Sequence, residues 1–270
     1  MTNPRIDILL PFWGDVELLK KAIESVLSQS RGDWRLLIFD DHYPSDEPAK
    51  YIASLKDNRI FYSRNENNLG ITNNFNHALE AAEADYCVMF GCDDIMLPNY
   101  IETALKNIGN ADFYQPRVDV INEHGKICLP LGDRIKKILQ PKKSCVLSGE
   151  ELATSLSHGN WLYFPSITWK TATIKKYGFD AKYKIVEDVV LEFEVIKNEG
   201  TLFFDTNTTF QYRRFSESLS SKEKARGGIR FSEEDEVYDM YAGIFKAIGW
   251  KKAARAAKLR VMSRLHKIIT

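Results

Sequence analysis

Through its first hundred residues the chain alternates short apolar runs with segments of helical periodicity, and the runs end where acidic residues collect. Residues 6–10 form the first run and Pro11 closes it. Asp15 then opens a segment in which Leu18, Leu19, Ala22, Ile23, Val26 and Leu27 recur at three- and four-residue spacing, which predicts a helix buried along one face. Residues 36–39 form a second run ending at Asp40 and Asp41, residues 60–62 a short third, and residues 86–90 a fourth that ends at Gly91. A second helix is predicted over residues 71–82. This alternation predicts an α/β fold, a mostly parallel, Rossmann-like central sheet flanked by helices.

In open sheets of this kind ligands bind beyond the carboxyl ends of the strands, where loops converge. Asp40 and Asp41 lie at one such end, and Asp93 and Asp94 lie at another. Asp also suits turns and helix caps, but two pairs at two strand ends point to a site. Neither G-x-G-x-x-G nor a Walker-type phosphate loop follows any predicted strand, which argues against dehydrogenase and P-loop chemistry. Carboxylates beside a phosphorylated ligand need a divalent cation between them and the phosphates. Asp93 and Asp94 suit that role, and oxygen ligands on a tight turn favour Mg²⁺ or Mn²⁺.

After Asp112 the pattern loosens. Residues 113–117 read as a strand, residues 131–143 as a Gly-, Lys- and Pro-rich stretch, and a helix opens near Ser148 with Glu151 three positions on, as in a capping box. Residues 216–228 are polar and read as a mobile loop or lid, and helical sequence resumes after Ser232. No internal repeat is present. The divisions are therefore a first half over 1–111, a second half of the same domain over 112–221, and a helical extension over 222–270. Lys plus Arg and Asp plus Glu both total 37, so no global field marks a nucleic-acid binder. Cys87, Cys92, Cys128 and Cys145 fall in no metal-ligand spacing, and the N-terminus carries no run long enough for a signal core or membrane span. A cytoplasmic protein is expected.

The order of these pieces resembles family 2 glycosyltransferases of the GT-A fold, over residues 6–220. The matching elements are the strand ending in Pro11 with its following helix, Asp40–Asp41, the Asn-x-Gly segment of Asn68, Leu69 and Gly70, and the acidic turn of Gly91, Cys92, Asp93 and Asp94. Further on come Glu187–Asp188 at a helix start and the Tyr-Arg of Tyr212 and Arg213. The resemblance implies that Pro11 and Phe12 wall a nucleotide pocket and that Asp40 reads the base, commonly uracil. Asp41, Asn68 and Gly70 belong to the same donor-binding set. Asp93 becomes the ligand of Mn²⁺ or Mg²⁺, Asp94 supports it or contacts the donor, and Asp188 is the catalytic base with Glu187 beside it. The implied reaction is an inverting transfer from a nucleoside diphosphate sugar, UDP-linked, to a hydroxyl of a glycan or lipid-linked acceptor in cell-surface polysaccharide biosynthesis. A non-catalytic nucleotide- or glycan-binding member of the same fold is the alternative.

This chain departs from the family at two places. Gly91 stands where an acid is common, and Phe215 where many members carry His; Arg213 or Arg214 is then the group left to contact phosphate. A sugar-nucleotide pyrophosphorylase would need a Gly-rich, Arg-containing loop after the first strand, which residues 11–19 lack. Trp161, Tyr163, Phe164 and Trp169 are either core or an acceptor platform. His42, His77 and His158 read as structural or surface residues. Residues 249–270 hold seven Lys or Arg and no acid; this is either an interfacial helix at the inner face of the plasma membrane, with contact through 250–270, or a helix packed on the core or on a partner subunit, a homodimer being one such case.

Overall fold

The computed structural model describes residues 5–215 and 229–260. The lid reading of 216–228 lies outside them, as do residues 261–270. In chain order the elements are β1 (Ile6–Phe12), α1 (Val16–Leu27), β2 (Trp34–Asp40), α2 (Glu47–Leu55), β3 (Ile60–Arg64), α3 (Ile71–Glu80), β4 (Tyr86–Met89), β5 (Ile95–Met96) and α4 (Tyr100–Asn107). The second half adds β6 (Phe113–Ile121), α5 (Leu131–Leu139), β7 (Cys145–Ser148), α6 (Gly149–His158), β8 (Thr168–Lys170), α7 (Thr171–Tyr177), α8 (Glu187–Lys197), β9 (Thr201–Arg213), α9 (Ile229–Ala247) and α10 (Lys251–Leu259).

One mixed sheet with strand order β3-β2-β1-β4-β8-β6-β9-β5 runs through the chain, and β7 pairs with β9 off this path. The parallel half matches the sequence pattern: β3, β2, β1 and β4 all run the same way. Both faces of this half are covered, and alternate residues divide between them. Ile6, Ile8, Leu10 and Phe12 pack with Val16, Leu19, Ile23 and Val26 of α1. Leu9 points to the other side with Leu37, Phe39 and the α3 residues Ala78 and Leu79. Asp15 caps α1 as predicted, accepting the amides of Glu17 at 2.7 Å and Leu18 at 3.2 Å.

Beyond β4 the sheet stops being purely parallel. β8 runs antiparallel to β4 and to β6. It follows the 3₁₀ turn Phe164–Ser166 without a crossover helix, and the Tyr100 hydroxyl fixes it by donating to Ser166 O at 3.0 Å and sharing a 2.8 Å hydrogen bond with Thr168 Oγ1. A return of that kind enters the sheet against β4. The capping box predicted at Ser148 does not form. Ser148 is the last residue of β7, paired with Thr201, and its side chain makes no cap bond. Residues 131–139 are a helix, α5, where the composition reads as a loosened loop.

Trp161, Tyr163, Phe164 and Trp169 are all buried, so the aromatic cluster is core. In α10, Ala253, Ala256 and Ala257 are buried, with α6 and α9 packed against the helix. Its apolar face is therefore occupied by protein. No helix among the described residues is long and apolar enough to cross a membrane.

The parallel half also holds a buried ion pair. Asp7 is fully buried and takes Arg35 in a two-pronged contact, 2.8 Å to each oxygen, on the neighbouring strand. The same carboxylate accepts the amides of Glu83 at 2.7 Å and Ala84 at 2.8 Å, which anchors the approach to β4. Removing one partner of such a pair strands the others. Asp7→Ala should therefore lower unfolding stability by about 3 kcal/mol, read as a shift of the urea midpoint at unchanged m-value; a midpoint within experimental error of the wild type would contradict the assignment.

Candidate active site

Four loops meet at the carboxyl ends of β1, β2, β3 and β4. The first continues β1. Pro11 is half-buried beyond the last residue that pairs with β4, where its missing amide leaves no gap. Phe12 is fully buried, its ring 5.0 Å from that of Tyr43. The next residue, Trp13, is 61% exposed. An aromatic two residues after the Pro11 that closes an apolar run is the signal the sequence carries for this indole.

The second loop is organised by two aspartates with different duties. Asp40 is fully buried, and its oxygens accept the Tyr43 amide at 2.6 Å and the Tyr62 hydroxyl at 2.5 Å. Both are thus engaged within the chain. Asp41 reaches across to the third loop, accepting Leu69 N at 2.7 Å, Gly70 N at 3.0 Å and Asn65 Nδ2 at 2.9 Å. Asn68 answers by donating to Asp41 O at 3.0 Å. Gly70 has φ 78°, a conformation that glycine adopts without strain. Asp41, Asn68 and Gly70 therefore form one hydrogen-bonded unit. His42 and His77 flank it through Asn65, each with Nδ1 at an Asn65 oxygen.

The fourth loop is the acidic turn. Asp94 is buried and Asp93 half-buried. Asp94 Oδ1 accepts the Arg213 amide at 2.7 Å, and Arg213 Nε donates to Asp93 O at 2.7 Å. The remaining reach of Arg213 goes to Asn122 O and Glu123 O. Its guanidinium therefore braces the turn from below. Burial raises both carboxyls above the ordinary range, Asp94 strongly, with the charge of Asp93 adding to the effect.

A β-carbon on residue 91 would lie 2.5 Å from Asp94 Oδ2 and 3.2 Å from Asp93 Oδ1. This explains the first departure. The turn draws one oxygen of each carboxylate over Gly91, in the space that a side chain there would need. No group of three or more His, Cys, Asp or Glu able to hold a metal occurs among the described residues. The turn nevertheless fits a divalent cation: two desolvated carboxylates converge on one spot, and Mg²⁺ characteristically takes one or two carboxylates and completes its shell with water and phosphate oxygens.

Glu187 and Asp188 begin α8, in the second half of the chain. Asp188 is half-buried, and its Oδ1 accepts Val189 N at 2.8 Å. Burial raises its carboxyl, while the Val189 amide and the charge of Lys136 pull the other way. Glu192, one turn along, is buried and receives Asn160 Nδ2 at 2.7 Å. Burial, then the neighbouring Asp188 charge, pushes it well up. α9 steadies the entry to α8, since Glu233 accepts the amides of Lys184 and Ile185.

Between the two acidic groups lie Asp133 and Lys136, which no sequence motif marks, together with Arg214, Tyr163 and Tyr212, which the sequence does single out. Asp133 of α5 is 2% exposed, pairs with Arg214 Nη2 at 2.9 Å and Nε at 3.1 Å, and accepts the Tyr163 hydroxyl at 3.0 Å. Tyr163 packs against Tyr212, ring centroids 5.3 Å apart. Lys136, one turn beyond Asp133, donates to Leu162 O at 2.5 Å and lies over the Tyr163 ring. Burial, reinforced by Arg214, brings its ammonium down to about 8. Tyr212 feels the charges of Asp93 and Asp94 on one side and of Arg214 and Asp133 on the other. Lys136 in turn feels Asp188 and Glu192. The site is a continuous run of charged and aromatic groups from the acidic turn to α8. His158, at the end of α6, is exposed.

A family model, Glycosyl transferase family 2, matches residues 7–171. The chain belongs to that family. Uncharacterized glycosyltransferase MJ1057 of Methanocaldococcus jannaschii is 27% identical over 206 residues, covering 74% of this chain and 67% of its own length. From Escherichia coli, UDP-Glc:alpha-D-GlcNAc-diphosphoundecaprenol beta-1,3-glucosyltransferase WfgD is 27% identical over 145 residues, covering 52% of this chain and 57% of its own. Among solved structures, S. aureus TarS 1-349 in complex with UDP-GlcNAc superimposes with a TM-score of 0.66 at 15% identity over 88% of this chain and 65% of that one. The likeness to TarS shows a shared GT-A fold. The chain thus spans between about half and two thirds of the length of these relatives.

Glu187 offers a test of the electrostatics at the start of α8. Its carboxyl is pushed up from 4.5 to about 7, by burial first and by the charge of Asp188 second. The folded chain then holds a proton that the unfolded chain has released, so this contribution to stability is complete below pH 4.5 and is lost as pH rises to about 7. Glu187→Gln should lose about 3 kcal/mol less stability than the wild type over that window, measured from denaturant midpoints at each pH. Parallel profiles for the two proteins would show that Glu187 is not a buried acid.

Proposed function

We propose that this chain transfers a sugar from a nucleoside diphosphate donor, UDP-linked, to a hydroxyl of a glycan or lipid-linked acceptor with inversion, in cell-surface polysaccharide biosynthesis. The observation that carries the reading is the pair of converging carboxylates at the end of β4, joined through Tyr212, Arg214 and Lys136 to a second carboxylate pair at the start of α8. Relatives named for UDP-glucose transfer to a diphosphoundecaprenol acceptor and for UDP-GlcNAc binding support the donor and acceptor classes.

Asp93, supported by Asp94, would hold Mn²⁺ or Mg²⁺, which when bound supplies Lewis-acid stabilisation of the negative charge growing on the departing diphosphate. Donor binding falls to the loops around it. The Asp41, Asn68 and Gly70 unit frames one wall with Pro11, and Trp13 offers an exposed aromatic face to the base or sugar. Phe12 and Asp40 serve from behind, as buried supports of that wall. Arg214 is better placed than Arg213 to meet a phosphate, because Arg213 is already committed to three backbone carbonyls.

Asp188 is the base. An acceptor hydroxyl attacks the anomeric carbon as its proton passes to the Asp188 carboxylate, and the bond to the β-phosphate oxygen breaks on the opposite side. Lys136 holds positive charge near Asp188 and favours its ionised form, which burial alone would disfavour. Glu187 and Glu192 are held up by the same negative charge, so one ionised carboxylate in the group discourages the others.

Two substitutions separate the roles. Asp188→Asn should reduce transfer by roughly 10² to 10⁴ while UDP affinity changes by less than a few-fold; unimpaired transfer would remove Asp188 from the reaction. Asp93→Ala should abolish the increase in UDP affinity produced by Mn²⁺, followed calorimetrically without turnover. Affinity that still rises with Mn²⁺ in this variant would place the cation elsewhere. A thermal-shift screen of nucleotide sugars with Mn²⁺ identifies the donor.

A further inference from the structure

Helix α5 is turned inside out. Its polar residues Asp133, Lys136 and Gln140 recur at three- and four-residue spacing and face the protein, bonding to Arg214 and Tyr163, to Leu162 O, and to Trp161 O respectively. Its outward stripe is Leu131, 53% exposed, with half-buried Ile135 and Ile138, 73% exposed, at positions i, i+4 and i+7. The chain leading into the helix extends this surface. Residues 127–129 run beside β6, with Ile127 70% exposed, Leu129 also exposed, and Cys128 between them half-buried. Alternation of that kind directs Ile127 and Leu129 to the same side.

The surroundings are basic. Lys126, Arg134, Lys137, Lys142 and Lys143 are all exposed. Between residues 122 and 143 the acids are Asp133, buried beneath Arg214, and Glu123 at the hairpin tip. An apolar stripe edged by Lys and Arg is complementary to a bilayer of anionic lipids, where the side chains of the stripe enter the acyl boundary and the cations meet headgroups. A partner of net positive charge would be repelled by these cations.

We propose that α5, with residues 126–130, seats this chain on an anionic membrane surface. Because Asp133 and Lys136 project from the opposite side of the same helix, the seat lies directly behind the acceptor side of the site. On the reaction proposed above, a lipid-carried acceptor would then approach along the membrane plane. The seat is a different one from α10, whose apolar face is already covered by α6 and α9.

The test uses the full chain and vesicles that contain no acceptor, so it is read without transfer and its failure would leave the proposed reaction standing. Flotation with phosphatidylglycerol-containing vesicles should recover the protein, recovery should fall with added salt, and phosphatidylcholine vesicles should recover little. A Leu131→Glu, Ile138→Glu double variant should partition at least about tenfold less, and the milder Ile138→Ser should fall between it and the wild type. Unchanged UDP affinity and melting temperature confirm that both variants are folded. Failure of the wild type to bind anionic vesicles, as when another segment of this chain covers α5, overturns the proposal. So does equal partition of wild type and double variant, or a dimer in solution that Ile138→Glu dissociates, which would give the face to a second copy of the chain.

Discussion

Two short hydrogen bonds between the acidic turn and the end of β9 hold the candidate site in one piece. Asp94 takes the amide of Arg213, and Arg213 returns its Nε to the carbonyl of Asp93, across 119 and 120 residues of chain. Neither bond touches a ligand. Together they set where β9 ends, and that end carries Tyr212 and Arg214 as well. Arg214 then draws in Asp133, Asp133 fixes α5, and α5 delivers Lys136 toward α8. A turn that follows β4 thereby determines the position of a helix forty residues later. Loss of the Asp94 carboxylate would leave a buried amide unpaired and free both ends of this chain of contacts.

The electrostatics follow from the same geometry. A protein interior disfavours isolated charge, yet this site buries Asp94, Glu187 and Glu192 and partly buries Asp93, Asp188 and Lys136. All five carboxyls are raised by desolvation, and the ammonium is lowered by it. Groups so displaced are poised to change protonation or to accept a counter-charge with little reorganisation. The stability lost in burying them is offset elsewhere, by the two-faced apolar packing of β1, β2 and β4.

The parallel half could be read from sequence because its rules are local. Asp15 precedes a three-four apolar pattern and caps it; residues 36–39 and 86–90 are apolar throughout because both faces of their strands are covered. The second half could not, because its patterning is set by distant partners. In α5 the apolar residues face out and the charged residues face in, so the usual inference from periodicity to buried face points the wrong way. Ser148 carries a capping-box pattern but lies in β7, whose existence depends on residues 201–204. Asp40 stands at a strand end like a ligand-binding group, but its contacts to Tyr43 and Tyr62, one through each oxygen, depend on the packing of β2 against β3. Arg213 and Arg214 are adjacent in sequence, and their separate duties depend on which carbonyls and carboxylates surround each one.

Gly91 shows how a departure from a family pattern can be a consequence of packing. An acid at this position would bring a third negative charge into a turn where Asp93 and Asp94 are already desolvated. It would also need the space that Asp94 Oδ2 occupies, 2.5 Å from where its β-carbon would stand. Moving that oxygen aside would turn the same carboxyl whose Oδ1 accepts the Arg213 amide. In this chain the second carboxylate of the turn is therefore engaged as a structural tie, and glycine is the residue that lets the tie form. Asp93 is the more accessible carboxylate of the two, half-buried where Asp94 is fully enclosed. A cation held here would therefore rest chiefly on that one side chain.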